Sequence, residues 1–227
     1  SISFIAKKYN LSIIEDAAHA LGAKYSDGSR VGSCKFSDMT GFSFHPVKSI
    51  AAGEGGMITT NNEKIYKKLI RLRSHGINKL DDSFINLKQS KSGGITNPWY
   101  YEMQELGYNY RITDFQSALG KSQLKKLNLF IDRRFNLVKR YDKAFSELGY
   151  LTTIQSKYRK QSSHHLYVVK INFKKINMTR AELMIKLKEY GIISQVHYIP
   201  ITQHPFYEKL GYKSEHLLNA LNFYDMC

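Results

Sequence analysis

The run Phe42-Ser43-Phe44-His45-Pro46-Val47-Lys48 passes directly into Ser49-Ile50-Ala51-Ala52-Gly53-Glu54-Gly55-Gly56. This join constrains the fold more than any other stretch. A β-prone segment has to end in a turn that presents one lysine, and the glycines behind it let the backbone approach closely or take positive φ. From these residues alone two readings of Lys48 are open. It can be a solvated surface lysine, as most lysines are. It can also be a Schiff-base amine, because an apolar strand-end setting can lower an ammonium pKa and make the nitrogen nucleophilic.

The flanks of the join predict an α/β chain. Ile2 to Tyr9 has the pattern of the last turns of a helix, and Ser12-Ile13-Ile14-Glu15-Asp16 is apolar up to its acids. That second run reads as a buried parallel strand with Asp16 at its C-terminal end. Ligands bind at this edge of open α/β sheets, although an acid there can equally be a turn or N-cap residue. Lys24 to Ser37 predicts a hairpin-like excursion, Met39 to Phe44 a core strand, and Met57 to Thr60 a further short strand. Asn61 to Ser74 predicts a helix with Ile65, Leu69 and Leu72 on one face, closed by Gly76. Asn78 to Gly94 is polar and without pattern, so a long surface loop is expected.

Farther on, Thr113-Asp114-Phe115-Gln116 has capping-box form and opens a helix whose apolar face includes Phe115, Ala118, Leu119, Leu124, Leu127 and Ile131. Arg134 to Leu148 repeats the helical pattern until Gly149. The polar run Ser156 to Ser163 is the expected domain joint. Beyond it, Tyr167, Val169, Ile171 and Phe173 alternate as a strand, Thr179-Arg180-Ala181-Glu182 caps a helix, and Ile192 to Val196 is expected to form another strand. Glu215 to Cys227 is amphipathic and has no stop signal, so both ends read as cut.

Composition narrows the functional classes. A chain of 227 residues that is 42% hydrophobic can bury a core. It has no apolar run near the roughly 20 residues a spanning helix needs, and its start does not resemble a signal peptide. Cys34 and Cys227 give neither a disulfide framework nor a metal-ligand spacing, which fits a reducing cytoplasm. The 34 Lys+Arg against 19 Asp+Glu leave +15, which raises a nucleic-acid or anionic-ligand partner. The basic residues, however, are scattered as pairs such as Lys67-Lys68 and Lys125-Lys126, and no helix-turn-helix, RRM or KH signature accompanies them. Solvated helix faces are therefore expected, with no nucleic acid and no membrane as partner.

Three segments in fixed order carry a resemblance to a known family. They are Glu15-Asp16-Ala17-Ala18-His19-Ala20-Leu21-Gly22-Ala23, the lysine stretch from Phe42 to Gly56, and Gly107-Tyr108-Asn109-Tyr110-Arg111-Ile112-Thr113-Asp114 with Gln116-Ser117-Ala118-Leu119-Gly120. Together they resemble the DegT/DnrJ/StrS sugar aminotransferases, which use pyridoxal phosphate (PLP). Gln195 to Ile201 and His204-Pro205-Phe206-Tyr207 extend the resemblance over essentially the whole chain. It implies an α/β, fold-type I PLP-dependent transferase of aspartate-aminotransferase-like architecture. Residues 1–155 would be the C-terminal part of the large PLP-binding domain with its interdomain helices, and residues 156–227 an incomplete small C-terminal domain. The resemblance also implies a longer protein, with further chain before Ser1 and after Cys227.

Residue by residue, the resemblance makes Lys48 the catalytic lysine that holds PLP. Asp16 would salt-bridge the pyridine nitrogen and keep the ring protonated, so that it can accept electrons. His19 would hydrogen-bond the phenolic oxygen, with a partly buried histidine bonded to backbone as the alternative. Ser43 would lie near the cofactor phosphate and the substrate, unless it is a plain strand serine. Asn109 would reach across a homodimer interface to the partner's cofactor or substrate. Gln195, Val196, His197 and Tyr198 resemble a substrate-contacting segment. For His75 a structural role is favoured, and Arg111 is either an anion contact or an interface salt bridge.

Within the family, Pro98 to Arg111, His164-His165-Leu166-Tyr167 and Gln195 to Tyr198 are most similar to the pseudaminic-acid pathway enzymes. Those enzymes aminate C4 of a UDP-linked 4-keto-6-deoxy-N-acetylhexosamine, giving a UDP-4-amino-4,6-dideoxy-N-acetyl-altrosamine type of product. The expected partners are thus a UDP-linked keto sugar and glutamate. A dehydratase relative carries histidine where Lys48 stands, so the lysine favours transamination. A dehydratase-like or regulatory homologue, or a basic nucleic-acid-binding protein suggested by the charge alone, is the alternative, and retention of Asp16, Ser43, Lys48 and Asn109 speaks against a regulatory one.

Overall fold

The structure, a computed structural model, describes residues 2–79, 84–154 and 159–227. They fall into two units, one comprising residues up to Ile131 together with Gln161–Ser163, the other Asp132–Lys160 with His164–Cys227.

In the first unit, α1 (Ile2–Tyr9) leads into β1 (Ile14–Asp16), followed by β2 (Met39–Ser43) and β3 (Gly56–Thr59). The sheet order is β1-β2-β3. β1 runs parallel to β2, with Ile14 opposite Met39 and Asp16 opposite Gly41. β3 is antiparallel to β2, with Gly41 opposite Ile58 and Ser43 opposite Gly56. Because side chains alternate along a strand, Ile14, Asp16, Met39, Ser43 and Ile58 share one face and Glu15, Thr40 and Phe42 the other. The second face is the covered one: Thr40 is fully buried, and Phe42 packs on a cluster of Phe44, Ile50, Ala52 and Leu127. The parallel pairing of β1 is as expected, but its burial is not, since Ile14 is 71% exposed. An apolar strand is buried on both faces only where a second layer crosses it, and no described residue covers Ile14.

Between β1 and β2, Tyr25 and Ser29 close a turn (N–H to carbonyl, 2.8 Å) and Lys24 bridges Arg30, which is the expected excursion. After the sheet, α2 (Glu63–Arg73) is capped by Asn62, whose side chain accepts from the N–H groups of Lys64 and Ile65 at 2.9 and 3.2 Å. Gly76, at φ +69°, ends it by donating to the Arg71 carbonyl.

Next come β4 (Ile77–Asn78), α3 (Leu87–Ser90), the minimal hairpin of β5 (Lys91–Ser92) and β6 (Ile95–Thr96), and β7 (Glu102–Met103), which pairs with β4. The expected patternless loop over 78–94 is therefore a small structured lobe, apart from residues 80–83, which lie outside the described residues. Its organiser is one carboxylate. Glu102 accepts from the N–H groups of Ile85 (2.5 Å) and Asn86 (3.1 Å), from Gln104 Nε2 (2.7 Å) and from the Tyr100 hydroxyl (2.8 Å). These donors, the Ile85 amide first, pull its pKa down to about 2. Order that comes from polar satisfaction leaves no hydrophobic period, which is why the pattern missed it.

α4 (Asp114–Leu124) opens on the expected capping box of Thr113 and Gln116, and α5 (Leu127–Phe145) begins in the first unit and ends in the second. The helix expected to continue from Thr113 through Ile131 is broken at Lys125-Lys126. Of its predicted apolar face only Leu127 and Ile131 reach the core, whereas Phe115 is 91% exposed and Leu119 and Leu124 are also exposed. The break splits one stripe into two faces with different surroundings. α5 stops at Phe145, short of the expected end at Leu148.

The second unit holds the antiparallel pair β8 (Leu151–Thr153) and β9 (Val169–Ile171), then α6 (Arg180–Glu189), α7 (Pro205–Lys209) and α8 (Leu218–Met226). α6 starts on the expected capping box of Thr179 and Glu182. β8 was not expected. Residues 192–196, expected as a strand, pair with no strand among the described residues, because β-prone side chains still require a ladder partner. Residues 155–158 of the expected joint region lie outside the described residues, and residues 161–163 belong to the first unit. No described helix is long and apolar enough to cross a membrane.

Candidate active site

Lys48 stands on a turn that is fastened at its base. The Phe44 N–H donates to the Gly55 carbonyl and the Ala52 N–H to the Phe44 carbonyl, both at 2.9 Å. Phe44, Ile50 and Ala52 bury their side chains with Leu127 on either side of the lysine, while Lys48 itself is half-buried. Within the turn its N–H donates to the His45 carbonyl (2.9 Å), and its ammonium makes no hydrogen bond or ion pair with a described residue. The glycines are needed at the return: Gly55 takes φ +140°, and a Cβ on Gly56 would lie 2.6 Å from the Phe42 carbonyl oxygen. His45 braces the tip, its Nδ1 accepting from the Val47 N–H at 3.4 Å and its Nε2 lying 3.8 Å from Glu54 Oε1. Ser49, next to the lysine, is buried, and its hydroxyl has no partner among the described residues.

β1 and β2 are parallel, so their C-terminal ends lie at one sheet edge, and these ends carry Asp16 and Ser43. Both line a shallow cavity of about 240 Å³ on the open face, together with Ile14, Met39 and Ile58. Asp16 Oδ1 accepts from the Ala18 N–H at 3.0 Å, so the turn-acid reading of Asp16 also holds locally. The Ser43 hydroxyl accepts from the His45 N–H at 3.4 Å, which joins the cavity wall to the lysine turn. Asp16, Ser43 and the Lys48 turn thus gather at one edge, although Lys48 does not line the cavity itself.

His19 is exposed, and its carbonyl accepts from Ser163 Oγ at 3.3 Å. Asn109 is presented from the opposite end of α2. Its backbone bridges Ser74, the Tyr108 N–H donates to the Leu72 carbonyl at 2.7 Å, and the Tyr110 N–H donates to the Arg73 carbonyl at 3.0 Å. Glu105 anchors the approach through Lys68 (2.8 Å) and Arg71 (2.5 Å), the lysine first among the donors that hold its carboxyl below the ordinary range. No described hydrogen bond ties Asn109 to Asp16, Ser43 or Lys48 within the chain. His75, at φ +62°, gives its N–H to the Tyr108 carbonyl, and Arg111 is exposed without an ion pair to a described residue.

Gln195, Val196, His197 and Tyr198 belong to the second unit. Gln195 and Tyr198 are exposed, and the rings of His197 and Tyr198 lie 4.4 Å apart. Sequence reasoning missed Glu15, Ser49 and Ser163 as parts of the site's framework. Ser163 carries no local signal, since its partner is 144 residues away.

Residues 1–227 match the model of the DegT/DnrJ/EryC1/StrS aminotransferase family. The chain is 43% identical over 223 residues to the UDP-4-amino-4,6-dideoxy-N-acetyl-beta-L-altrosamine transaminase of Campylobacter jejuni serotype O:23/36, covering 98% of this chain and 54% of that protein. Helicobacter pylori PseC, an aminotransferase involved in the biosynthesis of pseudoaminic acid, superposes with a TM-score of 0.82 at 32% identity over 99% of this chain and 55% of its own. Spr1654 of Streptococcus pneumoniae, solved in its PLP-form, gives 0.78 at 29% identity over 98% of this chain and 53% of its own. The chain therefore spans about half the length of the curated relatives it matches.

Proposed function

Because the chain belongs to the DegT/DnrJ/EryC1/StrS aminotransferase family, we propose that it carries the catalytic lysine of a PLP-dependent transaminase. The substrate would be a UDP-linked 4-keto-6-deoxy-N-acetylhexosamine, with glutamate as amino donor and a UDP-4-amino-4,6-dideoxy-N-acetyl-altrosamine type of product. The reading is carried by the Lys48 turn, whose ammonium has no partner among the described residues and stands beyond Ser43 at the same sheet edge as the open Asp16 carboxylate. The residues fit the cofactor: an amine with no partner among the described residues, a carboxylate with one local bond, and a cavity wall shared by Asp16 and Ser43. Bound there, PLP would supply an electron sink for the carbanion that forms when an amino group is moved.

The protein's own groups divide the remaining work. Lys48 attaches the cofactor and, once displaced, accepts and returns a proton at its ε-nitrogen. Asp16 holds a proton at the pyridine nitrogen, and His19 donates to the phenolic oxygen. Ser43 serves the phosphate or the substrate, and Asn109 does so from the partner protomer of a homodimer. Gln195, Val196, His197 and Tyr198 contact the sugar nucleotide. Residues 1–155 belong to the large domain in this reading and residues 156–227 to the small one.

The test is spectroscopic. PLP added to the protein should give a visible band that borohydride fixes to Lys48. Glutamate should discharge the band, and a UDP-linked 4-keto sugar should restore it. A Lys48→Ala variant that still held PLP covalently would defeat the assignment. Preference for a dTDP-linked 3-keto sugar would leave transamination standing and remove the proposed substrate.

A further inference from the structure

We propose that Glu15 is a positioning residue for Asp16. From the covered face of β1 it fixes, through Thr40 and Tyr25, the strand end that presents the Asp16 carboxylate on the open face. The inference rests on the assignment of Asp16 to the cofactor nitrogen.

β1 is three residues long, and among the described residues β2 is the strand that pairs with it. A strand this short has few ladder bonds, and side chains can add to them. Two carboxylates do so. Asp38 Oδ2 accepts the Ile13 N–H at 2.7 Å, where the strand begins. Glu15 holds the other end with both oxygens: Oε2 accepts from the Thr40 hydroxyl at 3.0 Å, and Oε1 accepts a short bond from the Tyr25 hydroxyl.

Both donors are themselves fixed. Thr40 is fully buried and stands opposite Glu15 in the β1-β2 register. Since its proton goes to Glu15, its oxygen takes the proton of Ser37 Oγ, 3.1 Å away. Tyr25 packs edge-on against Phe36 with centroids 4.9 Å apart. Burial first, and then the bond to Glu15, push its hydroxyl pKa well above the usual tyrosine value, so Tyr25 stays a donor at physiological pH.

Asp16, one residue on, points to the other face. It has one local bond, to the Ala18 N–H, and the following residue is tied to β2 by the Ala17 N–H to the Gly41 carbonyl at 2.8 Å. Beyond that local bond no described residue holds the Asp16 side chain, so its direction follows the backbone at Glu15. A carboxylate that keeps a proton on a ring nitrogen has to stay within hydrogen-bond reach, about 2.6–3.2 Å, so small tilts of β1 matter.

The test uses Glu15→Ala, Glu15→Gln and the single-donor variants Tyr25→Phe and Thr40→Val. In cofactor-free protein, hydrogen exchange at the Ala17 and Ala18 amides should quicken about ten-fold in Glu15→Ala, as for loss of one charge-assisted hydrogen bond, with α4 unchanged. The PLP dissociation constant should rise by a similar factor, about ten-fold, and the pH midpoint of the bound cofactor's absorbance should move, with Glu15→Gln intermediate. Wild-type exchange and wild-type PLP affinity in Glu15→Ala would overturn the role while leaving the Lys48 assignment intact. If wild type formed no Lys48-linked band, the functional reading would fail, and the exchange comparison alone would decide whether Glu15 fixes the strand. Should Glu15→Ala not fold, the two single-donor variants carry the same comparison.

Discussion

Gly76 and Gly107 cross backbone to backbone: a Cβ on Gly107 would fall on the Gly76 amide, and one on Gly76 would fall on the Glu105 carbonyl. The crossing delivers Tyr108, Asn109 and Tyr110 against the end of α2, where their backbone groups meet Leu72, Arg73 and His75. No flexible side chain can yield there, so Gly107→Ala should cost about 2 kcal/mol or more, as overpacking does. Gly149→Ala, at a site with nothing within 4 Å, should stay within about 0.5 kcal/mol of wild type. Urea denaturation of the two variants makes the comparison.

Lys48→Arg separates the charge of the turn from the chemistry of its amine. Arginine keeps the positive charge, but its guanidinium does not form the Schiff base. The base of the turn is held by Phe44, Ile50 and Ala52, so thermal stability should hardly change. The visible PLP band should vanish, and turnover should fall by about a thousand-fold or more. Retained turnover in Lys48→Arg would show that another group carries the reaction.

Acid should loosen the lobe around Glu102 in a defined window. Its folded pKa, about 2, lies below the ordinary glutamate value of 4.5. A depressed carboxyl contributes stability that is fully present above the unfolded value and is lost as pH falls through the folded one. Between pH 4.5 and about 2, the protection of the Ile85 and Asn86 amides should fall. Glu102→Gln should start less protected and show no change across that window. A carboxyl NMR titration with a midpoint near 4.5 would contradict the clamp.

Phe115 is 91% exposed on α4, next to the segment that presents Asn109. If a second copy covers it in the proposed homodimer, Phe115→Asp should shift sedimentation toward monomer while leaving the far-UV spectrum unchanged. An unaltered dimer in that variant would place the interface elsewhere.

Local chemistry was readable in advance wherever a motif closes on itself. Both capping boxes, Thr113 with Gln116 and Thr179 with Glu182, formed as their spacing required, and so did the strand-turn-glycine run around Lys48. What escaped had its cause elsewhere in the chain. The exposure of Ile14 depends on whether a layer crosses it, the lobe over 84–104 depends on a carboxylate outside the loop it orders, and the absence of a strand at 192–196 depends on a missing ladder partner. Asp16 and Ser43 could be placed at one edge because the apolar run that ends at Asp16 reads as a parallel strand, and it pairs in parallel with β2. The support of His19 by Ser163 could not, since a bond across 144 residues leaves no trace in either neighbourhood.

That bond also sets an order of assembly on the ribosome. The first unit takes its last three residues, 161–163, from beyond a stretch that belongs to the second. Synthesis proceeds from the N-terminus, so the loop that carries His19 emerges early but meets the Ser163 hydroxyl, and Lys24 the Gln161 carbonyl, only after residues 132–160 have left the exit tunnel. The proposed cofactor edge is thus finished late, and a pause in translation just after Ile131 would leave the lysine turn in place with the histidine loop still unfastened.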